Sequence, residues 1–406
     1  MPVPPLPSAV PVAAAERVSG LDAVRGFALL GILLMNIEAF NGPLWLSGAG
    51  VDPRWDGMDR WLDTFIYVVV QGSFFPLFSL LFGIGFALMG QRLTARGVSF
   101  TPIHLRRMVV LAVIGLLHAV LVWSGDVLLM YALLGCLLPA LDRLSPRWLA
   151  ASGVLGIAAS AGVILLMAGL FALMALSPEA AAGLAPAMEE VKADVAAQIQ
   201  MYGDGTYLQA VLRRIQDLAA SVQALVVTGG QVLGLFLIGA ALVRSGALAD
   251  RTGHARLWAA LRWLAWPLGL ALSVLGWQVS AFNPPWELNG TAMLAQAIKT
   301  VAGSLMGLGW LAWGLHAQRL LAVLAPAGRM SLTTYLGQSL VCTGVFYGYG
   351  LGWFGQLSRT EEVVFVLCLY AAQVLFAHLW LKAFLQGPVE WLWRMGTYGK
   401  VVALRR

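Results

Sequence analysis

The chain is 406 residues long, 59% hydrophobic and only 11% charged, with a mean hydropathy of +0.78. Soluble domains run nearer ~45–50% apolar and ~25% charged, so this composition excludes a soluble globular protein and describes an integral membrane protein. The formal net charge of +6 does not imply a nucleic-acid partner, because Lys and Arg sit in short clusters between apolar runs and read as topology signals.

Residues 1–16, MPVPPLPSAVPVAAAE, carry neither a basic n-region nor an apolar h-region before a cleavage site. They read as a disordered tail, and the first span as an uncleaved anchor. Residues 17–400 form a single transmembrane helical domain, followed by a short basic tail at 401–406. The stretch Arg17–Asn36, RVSGLDAVRGFALLGILLMN, opens on Arg17, Ser19, Asp22 and Arg25 and then runs uncharged, as a membrane span begins. Asp22 and Arg25 share one helical face at the depth where headgroups give way to hydrocarbon. Such a pair either anchors the span or holds a ligand.

With ~20 apolar residues needed per spanning helix, hydropathy marks segments at 23–41, 64–90, 106–123, 127–141, 148–176, 222–243, 257–281, 292–316, 330–350 and 361–385. The expected fold is all-α, a polytopic membrane helix bundle with about ten transmembrane helices. Arg92, Arg96, Arg106, Arg107, Arg143, Arg147, Arg244, Arg251, Arg256, Arg319 and Arg329 follow even-numbered spans, whereas Asp52, Asp56, Asp59, Asp63, Asp126 and Glu287 lie on the other side. Positive charge stays inside, so both termini are expected in the cytoplasm.

Within the second span, SFFPLFSLLFGIGFALMG, Pro76 is expected to kink the helix and Gly83, Gly85 and Gly90 to permit close packing. The hairpin His104–Tyr131 carries the most chemistry. His118 lies five residues before Trp123, roughly 8 Å inside the outer end of its span, and the Ser124-Gly125-Asp126 turn brings Asp126 back toward it. A carboxylate that orients an imidazole makes a general base; the alternative is that His118 bonds a neighbouring span and Asp126 caps the next helix.

The opposite-side segment 177–221 holds two amphipathic stripes, one on Met188, Val191, Val195 and Ile199, the other on Leu208, Val211, Leu212, Ile215 and Leu218, with Arg213, Arg214 and Asp217 on the polar side. These helices either cap a cavity or rest in the headgroups, and Arg213 and Arg214 are candidates for an anion. Ala327–Leu340 sets Arg329 before a span containing Thr333, Thr334, Tyr335 and Gln338; Gly387–Gly399 brings Glu390 to the cytoplasmic interface, where it should pair with an arginine. Cys136, Cys342 and Cys368 lack metal-ligand spacing and are expected as buried thiols, and no metal is expected.

Leu21-Asp22, Arg25-Gly26 and Asn36, the Phe74, Pro76, Phe78, Phe82 and Gly83 block, Arg106-Arg107 with His118 and Gly125-Asp126, and the Arg329 and Glu390 blocks stand in the order of the YeiB-like bacterial membrane proteins, which this chain resembles. Its LDxxRG opening is also similar to that of membrane acyltransferases such as heparan-alpha-glucosaminide N-acetyltransferase. That resemblance implies an acyl group taken from cytoplasmic acyl-CoA and delivered across the membrane to a hydroxyl or amine. It would place the reactive His in the loop after the first span, but Glu38–Asp63 contains none, so His118 must take the role.

The leading expectation is an acyltransferase in which His118 and Asp126 are catalytic. Asp22, Arg25, Asn36, Arg106, Arg107, Arg329, Gln338 and Glu390 would bind the donor, with arginine forks on its phosphates. Acyl-CoA is then the donor, a small molecule, lipid or glycan the acceptor, and membrane lipids the surroundings; homo-oligomerisation is left open. The alternative is a permease for a small solute or lipid.

Overall fold

An uncharged run of this length has to satisfy its backbone internally, so helix is the form it takes in a bilayer. The computed structural model describes residues 19–287 and 289–405, with the backbone alone at 19 and 220–224. The proposed disordered tail, Arg17 and the terminal Arg406 lie outside the described residues. In chain order the helices are α1 (Ser19–Asn41), α2 (Gly57–Phe65), α3 (Phe74–Ala95), α4 (Phe100–Leu121), α5 (Leu128–Gly135), α6 (Leu138–Leu141), α7 (Pro146–Met174), α8 (Pro178–Gly183) and α9 (Ala185–Gly203). They continue with α10 (Tyr207–Arg244), α11 (Ala255–Ala260), α12 (Trp266–Val279), α13 (Gly290–His316), α14 (Ala325–Arg329), α15 (Ser331–Phe346), α16 (Arg359–Ala383) and α17 (Pro388–Tyr398). Two isolated bridges, Gly50 to Phe282 and Phe384 to Arg405, are the extended pairings among the described residues.

Among the described residues, seven helical runs are long and apolar enough to cross a membrane: α1, α2–α3, α4, α7, the second half of α10, α11–α12 and α16. The chain is a multi-pass membrane protein. The other three predicted segments are helical as well, as α5–α6, α13 and the 16-residue α15. α13 packs against α12, α7 and α3. Surrounded by protein rather than lipid, it can carry Lys299, whose ammonium stands 3.0 Å from the centroid of the Tyr67 ring.

The outer surface is apolar. Val109, Val113 and Leu117 on α4, Leu155, Leu166 and Leu173 on α7, and Leu375 and Leu379 on α16 are all exposed, forming the face a lipid phase covers. Inside, backbones meet at glycines. Gly230 and Gly234 of α10 lie against Gly156 and Gly153 of α7, a small-xxx-small contact. A Cβ on Gly83 would stand 2.0 Å from the Phe236 carbonyl oxygen, whereas one on Gly85 would find nothing nearer than Arg25 Nη2 at 3.7 Å. Gly83→Ala is therefore expected to destabilise the bundle by about 1–3 kcal/mol. Gly85→Ala should melt like the parent in a detergent thermal scan, and equal losses for the two would contradict this packing.

Three details differ from the sequence reading. Pro76 does not kink a continuous helix; the chain breaks at residues 71–73, with Gly72 at φ +80°, and Pro76 falls in the first turn of α3, where a missing N–H costs little. Only Cys342 is buried, Cys136 and Cys368 being exposed on the apolar surface. α10 is a 38-residue helix whose N-terminal half turns its polar side inward: Arg213, Arg214 and Asp217 are buried while Leu208, Leu212 and Ile215 are exposed. The C-terminal segment is tied down, since Leu385 N–H donates to Leu404 O at 2.8 Å and Trp391 Nε1 to Val402 O at 2.8 Å.

At the end of the bundle away from the basic clusters, Arg359 is almost wholly buried among Asp63 (2.9 Å), Glu362 (2.6 Å) and Glu38 (3.7 Å), and Asn41 donates to Glu362 at 2.8 Å. This network ties α1 to α16 and to the end of α2.

Candidate functional site

A cavity of about 290 Å³ opens at the basic end, between α1, α3, α4, α5, α14, α15 and α17. Five arginines from five helices line it: Arg25 (α1), Arg92 (α3), Arg107 (α4), Arg329 (α14) and Arg394 (α17). Two acids accompany them, and both are engaged. Asp22 Oδ1 takes a 2.8 Å bond from Arg25 Nη1. Glu390 Oε1 accepts from the backbone N–H of Leu332 (2.7 Å) and Thr333 (3.1 Å), and Oε2 from the Thr333 hydroxyl (2.6 Å).

Glu390 thus serves as a cap for the first turn of α15, whose amides have no intrahelical acceptor. Burial pushes its carboxyl above the usual range, opposed by the hydrogen bonds from Thr333 and Leu332. Glu390→Ala should leave those amides buried and unsatisfied, costing about 1–3 kcal/mol in an unfolding experiment. A variant as stable as the parent would contradict the cap.

Inward from the arginines the walls turn apolar. Ile32, Met35, Phe75, Phe78 and Phe82 line the middle together with Asn36, and Val127, Leu128, Tyr131 and Tyr335 close the far end. Arg107 is held flat, its guanidinium 4.2 Å from the Trp393 ring centroid while Trp393 Nε1 donates to Arg107 O at 3.0 Å. Tyr131 shares a 2.6 Å hydrogen bond with Ser79.

Immediately behind the far wall stands the His118–Asp126 pair. Nδ1 of His118 meets Oδ2 of Asp126 at 2.7 Å, with both side chains 2% exposed. Oδ1 of Asp126 accepts the Leu129 amide at 2.8 Å, so the same carboxylate orients the ring and caps α5. The hairpin closes this tightly because Gly115, three residues before His118, faces the start of α5; a Cβ there would stand 2.5 Å from Leu129 N. Nε2 of His118 is buried with no hydrogen-bond partner among the described residues. The ring packs 5.4 Å from that of Tyr335, itself a cavity wall. The pair therefore sits one aromatic ring from the cavity and not on its surface.

Above the pair, the α9–α10 hairpin grips the turn. Arg214 Nη1 and the Tyr207 hydroxyl both donate to Leu121 O, at 3.1 and 2.8 Å, and Ser124 donates to Asp217 at 3.1 Å. Arg213 is engaged by Asp194 at 2.6 Å and Asp217 at 2.7 Å. The two arginines expected to bind an anion are committed to the fold.

Of the expected donor-binding residues, Asp22, Arg25, Asn36, Arg107, Arg329 and Glu390 converge on the cavity. Arg106 does not: consecutive helical residues point about 100° apart, and Arg106 is exposed beside Gly399. Gln338 is also elsewhere, buried between helices with its amide donating to Gln373 Oε1 at 3.2 Å. Arg92 and Arg394 also line the cavity, although the sequence gives neither of them a donor-binding role.

Residues 242–400 match the family described as "Protein of unknown function (DUF418)". The chain is 35% identical over 402 residues to the uncharacterised protein YeiB of Escherichia coli (strain K12), covering 94% of this chain and 96% of that one. It is 30% identical over 404 residues to the uncharacterised protein YxaH of Bacillus subtilis (strain 168), covering 94% of each. It is 28% identical over 392 residues to an uncharacterised 39.9 kDa protein in the amylase 3′ region of Bacillus acidopullulyticus, covering 96% of each. No solved structure matches it. With such identity running along nearly the whole of each chain, the protein belongs to the YeiB-like family of membrane proteins.

Proposed function

We propose that this chain is a membrane-embedded acyltransferase of the bacterial plasma membrane. It would move an acyl group from an acyl-CoA-type donor at the cytoplasmic face to a hydroxyl or amine acceptor reached from the other side. The observation that carries this reading is the polarity gradient of the cavity. Five arginines suit the phosphates of a nucleotide at one end, apolar walls suit an acyl chain, and a histidine–carboxylate pair stands behind the far wall. Arg107 and His118 are eleven residues apart on α4, about 16 Å, a span suited to a donor whose charged and reactive ends are far apart. The basic loops support a cytoplasmic arginine mouth.

In this scheme Asp126 holds the proton on Nδ1, leaving the Nε2 lone pair as the base. Nε2 takes the acceptor proton as the acceptor oxygen or nitrogen bonds to the thioester carbonyl carbon. The C–S bond then breaks, and the departing thiolate receives the proton from the imidazolium. Tyr335 has to move or turn for Nε2 to meet the cavity, which makes it the gate between donor and base.

The test is release of free CoA thiol from acyl-CoA by the purified chain in proteoliposomes supplied with candidate sugar and lipid acceptors on the far side. Thiol release that requires an acceptor supports the reading. Solute movement with no thioester consumed would replace it with a permease.

A further inference from the structure

A second, shallower cavity of about 350 Å³ lies beside the end of α13, lined by Arg251, Thr252, Trp258, Arg262, Leu315 and His316, with Gln318 on its rim. It is at the same end of the bundle as the arginine mouth, because Gln318 packs on Gly20 in the first turn of α1. It is nevertheless a separate site, sharing no lining residue with the central cavity.

Its charge is one-sided. Neither Arg251 nor Arg262 meets a carboxylate among the described residues. Arg251 is fixed by donating to Leu315 O at 2.9 Å, and Arg262 stands 5.9 Å from the Trp313 ring centroid. The neighbouring acid, Asp250, is taken up by the Gly253 amide at 2.8 Å and the Thr252 hydroxyl at 2.9 Å. Two guanidiniums and an imidazole with neutral partners therefore face one hollow. Trp263 and Trp313, edge to face at 4.9 Å, stand beside it as interfacial anchors. The helical run that carries Arg262 continues into an exposed apolar face at Trp263, Leu264 and Leu268.

A cationic hollow that opens onto a lipid-covered helix face fits a ligand with an anionic phosphate and hydrocarbon tails. We infer that this cavity binds the phosphate headgroup of an anionic membrane lipid, with the tails lying along Leu264 and Leu268. Arg251 and Arg262 take the phosphate oxygens and His316 closes the third side. A free phosphate would satisfy the same cations but would leave the adjoining apolar face unused.

The experiment reconstitutes the full chain in phosphatidylcholine vesicles carrying a trace of photoactivatable phosphatidylglycerol and maps crosslinked peptides by mass spectrometry. Label is expected on the 257–268 stretch. It should fall on the order of tenfold in Arg262→Gln combined with His316→Gln, and stay at the parental level in Arg256→Gln, an exposed arginine outside the cavity. Those two substitutions spare the Arg251 bond to α13, and the parental melting temperature serves as the check on folding. Excess inorganic phosphate should not displace the lipid. Equal labelling by photoactivatable phosphatidylcholine, or labelling unchanged in the double variant, would overturn the site; full displacement by inorganic phosphate would overturn the lipid as its ligand.

Discussion

His118→Gln is expected to lower acyl transfer by about 10²–10⁴-fold, the range a positioned general base contributes, with the fold intact. Gln is the informative replacement because its amide can still donate toward Asp126. His118→Ala would leave a carboxylate 2% exposed without its 2.7 Å partner, and loss of stability would then be mixed with loss of chemistry. Asp126→Asn keeps an oxygen for the Leu129 amide but offers no carboxylate to Nδ1, so it should lose most but not all of the rate by leaving the ring in the wrong tautomer. Parental turnover in His118→Gln, measured by thiol release, would remove the base from the scheme.

Replacement of the mouth arginines should act on the donor and not on the chemical step. Arg107→Gln removes a guanidinium stacked on Trp393, and Arg25→Lys replaces a fork by a point charge while keeping a cation for Asp22. Each is expected to raise the donor Kd on the order of tenfold, with kcat at saturation little changed, because charge-assisted bonds of about 1.5–3 kcal/mol are lost from ground state and transition state alike. The pair together should approach a hundredfold if the two contacts are independent. Donor affinity should also fall with added salt, since a mouth open to solvent is screened. Loss of kcat with Kd unchanged would contradict the assignment of these arginines to the phosphates.

The contacts that were legible in the sequence are local ones. His118 and Asp126 are eight residues apart across a tight turn, and Asp22 and Arg25 one helical turn apart, so chain geometry alone brings each pair together. Arg92 and Arg394 meet the same cavity only because α3 and α17 pack around it, and no spacing rule reports that. Arg106 and Arg107 illustrate a finer limit: both are basic and adjacent, yet a helix can aim only one of them inward. The inversion of α10 has a different cause. An amphipathic stripe in water marks the buried side, but here Leu208, Leu212 and Ile215 face outward while Arg213, Arg214 and Asp217 gain buried partners by facing in.

One ligand is proposed to span from the arginine mouth to the His118–Asp126 pair. The most direct measurement is a cryo-electron microscopy map of the chain in nanodiscs with a non-hydrolysable thioether analogue of acyl-CoA. Phosphate density is expected within reach of Arg25, Arg92, Arg107, Arg329 and Arg394, with the thioether sulfur beside Tyr335 and the Tyr335 ring displaced so that His118 Nε2 faces the acyl carbon. Density for the analogue at another surface, or in this cavity with its acyl end turned away from Tyr335, would contradict it.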